Sequence, residues 1–156
     1  MENKSDSRTG LIEDVHRRWH LVLKGELEID EILHPDCIFW SPVLFHPQKG
    51  RELTKMYLSA ASLVFPGDDA QKDENLGKKE NALTSFRYTK RVLDGYHAVL
   101  EFETSIDGLH VNGVDIITCD DSGLIVEFKV MIRPMQALEK VREQMMSMIE
   151  SLDDIP

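Results

Sequence analysis

The sequence predicts an α+β domain in which a curved antiparallel sheet wraps over N-terminal helices. The chain has 156 residues, the size of one ordinary domain, and can bury a core without disulfides or metal ions. Apolar residues recur at helical spacing in the first part of the chain, and segments with strand-like alternation follow them. Helices first and strands second are typical of the α+β class. We therefore expect residues 1–156 to form a single domain.

Two helices are predicted at the start of the chain. The first has its N-cap at Thr9 and stops at Gly25, and residues 1–8 are expected to form a disordered tail. The second lies in the segment LEIDEILHP, residues 27–35, and ends before Pro35, because the residue that precedes a proline is pushed out of the helical region. The buried positions are predicted to be Ile12, Val15, Trp19, Val22 and Leu23 in the first helix, and Ile29, Ile32 and Leu33 in the second.

An extended segment, a third helix and a polar loop are predicted next. Residues 37–50 are extended and are broken by Pro42 and Pro47. Residues 51–65 return to helical spacing. Residues 67–81, GDDAQKDENLGKKEN, are acidic and then basic, so we expect a solvated loop with poor intrinsic order.

The second half of the chain predicts an antiparallel meander followed by a helix. The turn sequences DGY, DG and DDSG separate segments that predict three or four strands, and such Asp and Gly residues are those that hairpin turns require. The strands are expected at residues 83–93, 97–106, 109–119 and 124–134. Residues 135–153 carry apolar side chains at helical spacing and predict a C-terminal helix.

Composition limits the partners of this protein. The formal net charge is −10 and the chain has no run of basic residues, so nucleic acid and anionic membrane surfaces are not expected to bind. The N-terminus lacks the apolar core of a secretory signal and no apolar run is long enough to cross a bilayer, so we expect a cytoplasmic protein. Cys37 and Cys119 each lie in a strand-like apolar segment, which favours buried, reduced thiols, although two cysteines alone leave a bridge open.

Asp115 is the residue that departs most from its surroundings. It lies between Val114 and Ile116 in an apolar strand, and strand alternation places it on the same face as Ile117 and Cys119. A buried carboxylate costs several kcal/mol unless it is paired, hydrogen-bonded or protonated. Asp115 therefore has either a structural partner or a chemical role.

Two motifs resemble a known superfamily of cone-shaped α+β domains. The segment FWSPVLFHPQKGRE is a strand with a Pro-Val step that leads to a Gly-Arg helix start, and VDIITCDDSGLI is an Asp-bearing strand followed by an acidic turn and an apolar strand. With the order of helices and strands, they resemble nuclear transport factor 2, ketosteroid isomerase and the SnoaL-like polyketide cyclases. The resemblance extends from about residue 9 to residue 133. It implies a cone-shaped, cystatin-type curved antiparallel sheet over the helices.

The resemblance to ketosteroid isomerase also implies site residues. Asp115 falls on the position of the protonated aspartate of the oxyanion hole, so it should face the pocket and act as an acid or base. Ser41 falls on the position of the proton-abstracting aspartate, and a serine cannot serve as that base without an activating partner. Arg18 falls, with one gap, near the oxyanion-hole tyrosine. Because two of the three positions differ in kind, we do not expect ketosteroid isomerisation.

Strand alternation and the resemblance together predict an apolar pocket. The inward positions of two strands are predicted to be Ala98, Leu100, Phe102, Thr104, Val126, Phe128, Val130 and Ile132. We expect the catalytic residue to be Asp115 and the ligand-binding residues to be Ser41, Arg18, Phe39, Tyr57, Leu100, Phe102, Ile117, Phe128 and Val130. Asp115 has an alternative interpretation as a buried carboxylate satisfied by Arg18, His20 or backbone amides. Such a pocket suits a small hydrophobic molecule that carries one or two polar groups.

Other polar residues predict little chemistry. His16 and His20 have the spacing of two metal ligands on one helix, but HRRWH lacks the glutamate of the zinc-protease motif and a third ligand, so no metal site is expected. No cofactor is expected either.

The outward face of the sheet predicts contact with a second copy of the chain. This face mixes Val99 and Met131 with Glu103 and Arg133, and we expect a homodimer through it.

The predicted function is that of a SnoaL-like small-molecule-binding domain. A cofactor-free acid/base step on a hydrophobic substrate, such as isomerisation, cyclisation or hydrolysis, would use Asp115. The alternative is a non-enzymatic ligand-binding or protein-interaction module with its cone filled by its own side chains. The volume of the cavity distinguishes the two.

Overall fold

The computed structural model describes residues 4–65 and 86–153, and the side chains of residues 10–65 and 86–151. The predicted loop at residues 67–81 lies outside the described residues. Within the described part of the chain, no helix is long and apolar enough to cross a membrane.

Three α-helices form one layer of the fold. They are α1 (Lys4–Leu23), α2 (Arg51–Val64) and α3 (Met135–Asp153). The first helix begins at Lys4, so the expected N-cap Thr9 lies within it and residues 4–8, expected to be a disordered tail, are helical. The third covers the range expected for the C-terminal helix. Ile12, Val15 and Trp19 are buried in the core as their spacing indicated.

The prediction of a second helix at residues 27–35 is wrong. Residues Ile29–Glu31 form a single 3-10 turn, and strand β1 begins at Leu33. Ile32 and Leu33 are fully buried, as expected, but the backbone there pairs with the sheet: Ile125 N–H donates to the Ile32 carbonyl at 2.7 Å. Apolar residues spaced by three and four fit a turn followed by a strand as well as a helix, and pairing with the sheet decides between them.

The second layer is a six-stranded sheet with the order β2-β1-β6-β5-β4-β3. Its strands are β1 (Leu33–Trp40), β2 (Gln48–Lys49), β3 (Arg87–Asp94), β4 (His97–Ile106), β5 (Leu109–Cys119) and β6 (Ile125–Arg133). Strands β3 to β6 form the predicted antiparallel meander. The expectation of a wholly antiparallel sheet is wrong at one ladder, because β1 pairs with β6 in parallel. The chain between these two strands contains α2 and the meander, which is long enough for a parallel pairing.

The register of the sheet places Asp115 between two apolar residues. Asp115 lies opposite Leu100 of β4 on one side and Val130 of β6 on the other. Near the start of β6 the register shifts, so that Cys119 pairs with Ile125 and Thr118 pairs with Glu127. Ile125 is therefore fully buried, whereas Val126, predicted to face inward, is only half-buried. Such a bulge adds one residue to the strand, and alternation alone does not reveal it.

The core lies between the helices and the inner face of the sheet. Leu100, Phe102 and Phe128 of the sheet meet Ile12 of α1 and Val141 of α3 in one hydrophobic cluster. The result is the expected α+β architecture, with the curved sheet wrapped as a cone around helices on its inner face.

Candidate functional site

A cavity of about 750 Å³ lies inside the cone, between the helices and the sheet. Side chains from all three helices and from β1, β3, β4, β5 and β6 line it, and most of them are apolar. Asp115 of β5 is part of the wall. A cavity of this volume can hold a drug-sized ligand.

Three side chains form a hydrogen-bonded chain at this wall. The indole Nε1–H of Trp19 donates to the hydroxyl oxygen of Tyr88 at 2.9 Å. The Tyr88 hydroxyl donates to Oδ2 of Asp115 at 2.6 Å. No hydrogen bond from a described residue reaches the other carboxyl oxygen, Oδ1. The carboxyl group therefore has one oxygen fixed by the protein and one available to a ligand.

Burial changes the acidity of both groups in the pair. Asp115 is 5% exposed, and desolvation raises its pKa from 3.8 to about 7, although the Tyr88 hydrogen bond lowers it. Desolvation also raises the pKa of Tyr88 well above its usual range, and the neighbouring Asp115 raises it further. Since Oδ2 accepts the Tyr88 proton, the proton of a neutral Asp115 belongs on Oδ1. Near neutral pH the carboxyl can either donate or accept a proton there.

Five of the nine predicted ligand-binding residues line the cavity. They are Ser41, Phe39, Phe102, Phe128 and Val130. The hydroxyl oxygen of Ser41 accepts a hydrogen bond from the Val43 amide at 3.2 Å, which leaves its own proton for a ligand or for water. Ser41 therefore contributes a polar group to the same cavity as Asp115.

The other four predicted binding residues do not line the cavity and instead make contacts within the fold. Arg18 does not line the cavity: it donates to Asp14 at 2.9 Å and to the carbonyl of Gly123, and so ties α1 to the turn between β5 and β6. Tyr57 stacks on Phe39 with ring centroids 5.4 Å apart, behind the lining. Leu100 and Ile117 are buried in the core outside the cavity wall. Strand alternation thus correctly predicted that the side chains of Leu100 and Ile117 point inward. Inward-pointing side chains can pack in the core as well as line the cavity, and these two pack in the core.

Tyr88 is the functional candidate that sequence reasoning missed. It was placed in a strand without being assigned a role, although it alternates with Phe86 in that strand and both residues line the cavity. Trp19 was predicted only as a buried helix residue. The pairing of Tyr88 with Asp115 joins residues far apart in the chain, so only the register of the sheet and the position of α1 bring them together.

The aromatic residues of the cavity form two groups on either side of the Asp115 strand. Phe102 of β4 stacks on Phe86, with ring centroids 4.8 Å apart. Phe128 of β6 makes an edge contact with Trp19 at 5.1 Å. Because β5 lies between β4 and β6, the carboxyl of Asp115 has an aromatic group on each flank.

The histidine pair on α1 lies close to this site. The Nε2 atoms of His16 and His20 are 3.0 Å apart, and the His20 ring contacts the Tyr88 ring edge to face. Burial lowers the pKa of His16 to about 4, and His20 and Arg91 lower it further. The described residues contain no group of three side chains that could ligate a metal ion.

The fold and the cavity define a class: cone-shaped α+β domains with an interior, mainly apolar chamber. No protein-family model matches the chain, and no curated protein matches it by sequence. Solved structures do match. A steroid delta-isomerase from Pseudomonas aeruginosa is 28% identical, with a TM-score of 0.74 over 91% of this chain and 93% of that chain. A cystatin-like protein from Silicibacter pomeroyi is 27% identical, with a TM-score of 0.63 over 76% of this chain and 72% of that chain.

A third neighbour is more distant in sequence. It is a nuclear transport factor 2-like protein of unknown function from Mesorhizobium loti, 18% identical, with a TM-score of 0.59 over 86% of this chain and 97% of that chain. The chain therefore has the fold of the nuclear transport factor 2-like, ketosteroid isomerase-like and SnoaL-like domains, as its motifs predicted.

Proposed function

We propose that this protein binds a small hydrophobic molecule inside the cone and that Asp115 exchanges a proton or a hydrogen bond with an oxygen of that molecule. The observation that carries the proposal is the Asp115 carboxyl at the wall of a cavity of about 750 Å³, with Oδ1 left without a described donor. A buried carboxyl with a pKa of about 7 is suited to acid or base work at neutral pH. A cone filled by its own side chains would have favoured the interaction module.

The available groups favour a reaction without a cofactor. A neutral carboxyl donates to a carbonyl oxygen and stabilises the negative charge that develops there during isomerisation, cyclisation or hydrolysis. Among the described lining residues, Glu26 is the other carboxylate, and it is exposed. Ser41 stands where the resemblance to ketosteroid isomerase would place the proton-abstracting aspartate. For this reason we propose an acid-assisted step and not ketosteroid isomerisation itself.

Ligand binding is tested by thermal shift with ketones and polycyclic carbonyl compounds. A ligand at a hundred times its dissociation constant adds about 2.7 kcal/mol to the free energy of unfolding, which is readily measured. We expect hits with the wild type that weaken in Asp115→Asn. The control is Asp121→Asn, because Asp121 also accepts a tyrosine hydrogen bond, from Tyr96, but lies exposed outside the cavity. Equal ligand-induced thermal shifts for wild type and Asp115→Asn would show that Asp115 does not take part in binding.

A homodimer through the outer sheet face is a second part of the proposal. Val99 and Met131 are 36% and 51% exposed on this face. Arg133 donates to Asn112 at 3.3 Å, and Asn112 donates to Glu101 at 3.0 Å, which orders a row of polar groups beside the apolar pair. A half-apolar face with charges of both signs can pair with a second copy of itself around a two-fold axis.

A further inference from the structure

Gly113 leaves a space that the ring of Phe102 fills. The two residues lie opposite each other in the ladder between β4 and β5. A Cβ atom on Gly113 would lie 2.2 Å from Cζ of Phe102 and 2.7 and 2.8 Å from two other ring carbons, whereas ordinary contacts begin at 3.4 Å. Gly113 does not have a positive φ angle, so backbone conformation does not require glycine here. The requirement comes from the aromatic ring alone.

The ring of Phe102 is also a wall of the cavity. It stacks on Phe86, tilts against Phe65 at 5.9 Å and meets the edge of Tyr88 at 6.5 Å, and all four side chains line the cavity. Tyr88 in turn holds Oδ2 of Asp115. The position of one ring therefore determines both the width of the cavity and the packing around the residue that orients the carboxyl.

We propose that Gly113 is a specificity-determining residue, which keeps the Phe102 ring against β5 and so sets the width of the chamber beside Asp115. The inference rests on the proposed function and adds to it a limit on the shape and size of the ligand. Phe102 and Phe86 lie on one flank of the Asp115 strand and Phe128 with Trp19 on the other. The position of the Phe102 ring therefore determines how much space beside the Asp115 carboxyl a rigid ligand can occupy.

The geometry gives the size of the expected effect. An alanine at position 113 requires the Phe102 ring to retreat by about 1.2 Å, the difference between 3.4 Å and 2.2 Å. The ring lies on the inner side of β5, so retreat from this strand moves it toward the cavity. A narrower chamber excludes a large rigid ligand more than a small one, and steric misfit of this size changes relative affinity by about tenfold or more.

The experiment measures dissociation constants by calorimetric titration for two probes, the bicyclic ketone tetralone and the tetracyclic ketone androstenedione. We expect Gly113→Ala to lower the affinity for the tetracyclic probe relative to the bicyclic one by about tenfold or more. Gly113→Ala with Phe102→Leu should restore the wild-type ratio, because the smaller side chain accommodates the added methyl group. The control is Gly10→Ala on α1, where a Cβ meets no atom within 4 Å.

The outcomes separate the shape inference from the proposed function. Wild-type protein that binds neither probe contradicts both. Wild-type protein that binds both probes, with the same affinity ratio in Gly113→Ala, overturns the role of Gly113 and leaves the proposed function intact. If Gly113→Ala does not fold, Phe102→Leu alone provides the test: widening the chamber must shift the ratio toward the tetracyclic probe, and an unchanged ratio overturns the inference.

Discussion

Replacing Asp115 by asparagine tests the electrostatic account of the site without a ligand. Asparagine has nearly the same shape, and its side-chain oxygen can still accept the hydrogen bond of Tyr88. Unlike aspartate, it cannot ionise. The comparison of the two proteins therefore isolates the cost of placing a negative charge on a side chain that is 5% exposed.

The sign and size of the effect follow from the pKa of Asp115. Its folded-state pKa of about 7 exceeds the ordinary value of 3.8, so the neutral carboxyl contributes stability that is complete below about pH 4 and is lost as pH rises through 7. At about 1.4 kcal/mol per pKa unit, the loss is on the order of 4 kcal/mol. Asp115→Asn does not undergo this loss. We expect variant and wild type to be similarly stable near pH 4 and the variant to be the more stable protein above about pH 7.

Urea unfolding at a series of pH values measures this difference. The informative quantity is the free energy of unfolding of Asp115→Asn minus that of the wild type, which should rise between about pH 4 and about pH 7 and then level off. Asp121→Asn, which changes an exposed carboxylate, controls for the general effect of net charge. A difference that stays constant with pH, or a variant that is less stable at every pH, would refute the assignment of Asp115 as a desolvated carboxyl.

Further predictions concern the groups around the cavity and the outer face. Tyr88→Phe removes a hydrogen bond that lowers the pKa of Asp115, so the pH-dependent loss of stability should move to higher pH in the same urea experiment. Arg18→Ala should lower the free energy of unfolding by about 1–3 kcal/mol while ligand affinity in titrations stays unchanged, because Arg18 ties α1 to a turn and does not line the cavity. Ser41→Asp adds a second carboxylate to the cavity wall, and nuclear magnetic resonance in heavy water should then show exchange of the α-protons of a bound ketone. Light scattering at micromolar concentration should give a dimer mass for the wild type and a monomer mass for Met131→Glu, because Met131 is exposed on the outer face.

Local patterns predicted the elements whose signals are local. Turn residues and alternation located β4 and β5 at their observed bounds, and helical spacing located α2 and α3. The errors occur where contacts between distant parts of the chain determine the secondary structure. The Ile32 carbonyl accepts a hydrogen bond from Ile125 at the start of β6, and the predicted short helix is therefore a turn followed by a strand. The parallel pairing of β1 with β6 depends on the path of the whole chain and has no local signal.

The candidate site was predicted in part for the same reason. Asp115 stood out because a carboxylate in an apolar strand violates a local rule, and such violations need only the sequence to be seen. Tyr88 obeys every local rule, since a tyrosine in a half-buried strand is ordinary. Its role appears only when β3 and α1 bring its hydroxyl between Trp19 and Asp115. Arg18 was predicted to bind a ligand, but its side chain donates to the carbonyl of Gly123 and does not line the cavity. The position of a helical arginine in an alignment does not reveal which of these two directions its side chain takes.

The cost of burying Asp115 supports the proposal that this residue binds a ligand. An apolar side chain between Leu100 and Val130 would avoid the desolvation cost, which the hydrogen bond from Tyr88 offsets only in part, because the pKa of Asp115 remains raised. The chain from Trp19 through Tyr88 to Asp115 orients one carboxyl oxygen and leaves the other available at a cavity wall. A core optimised for stability has no use for such an oxygen. Under the proposed function this oxygen recognises a polar group on an otherwise hydrophobic ligand, and a loss of stability at such a site is expected.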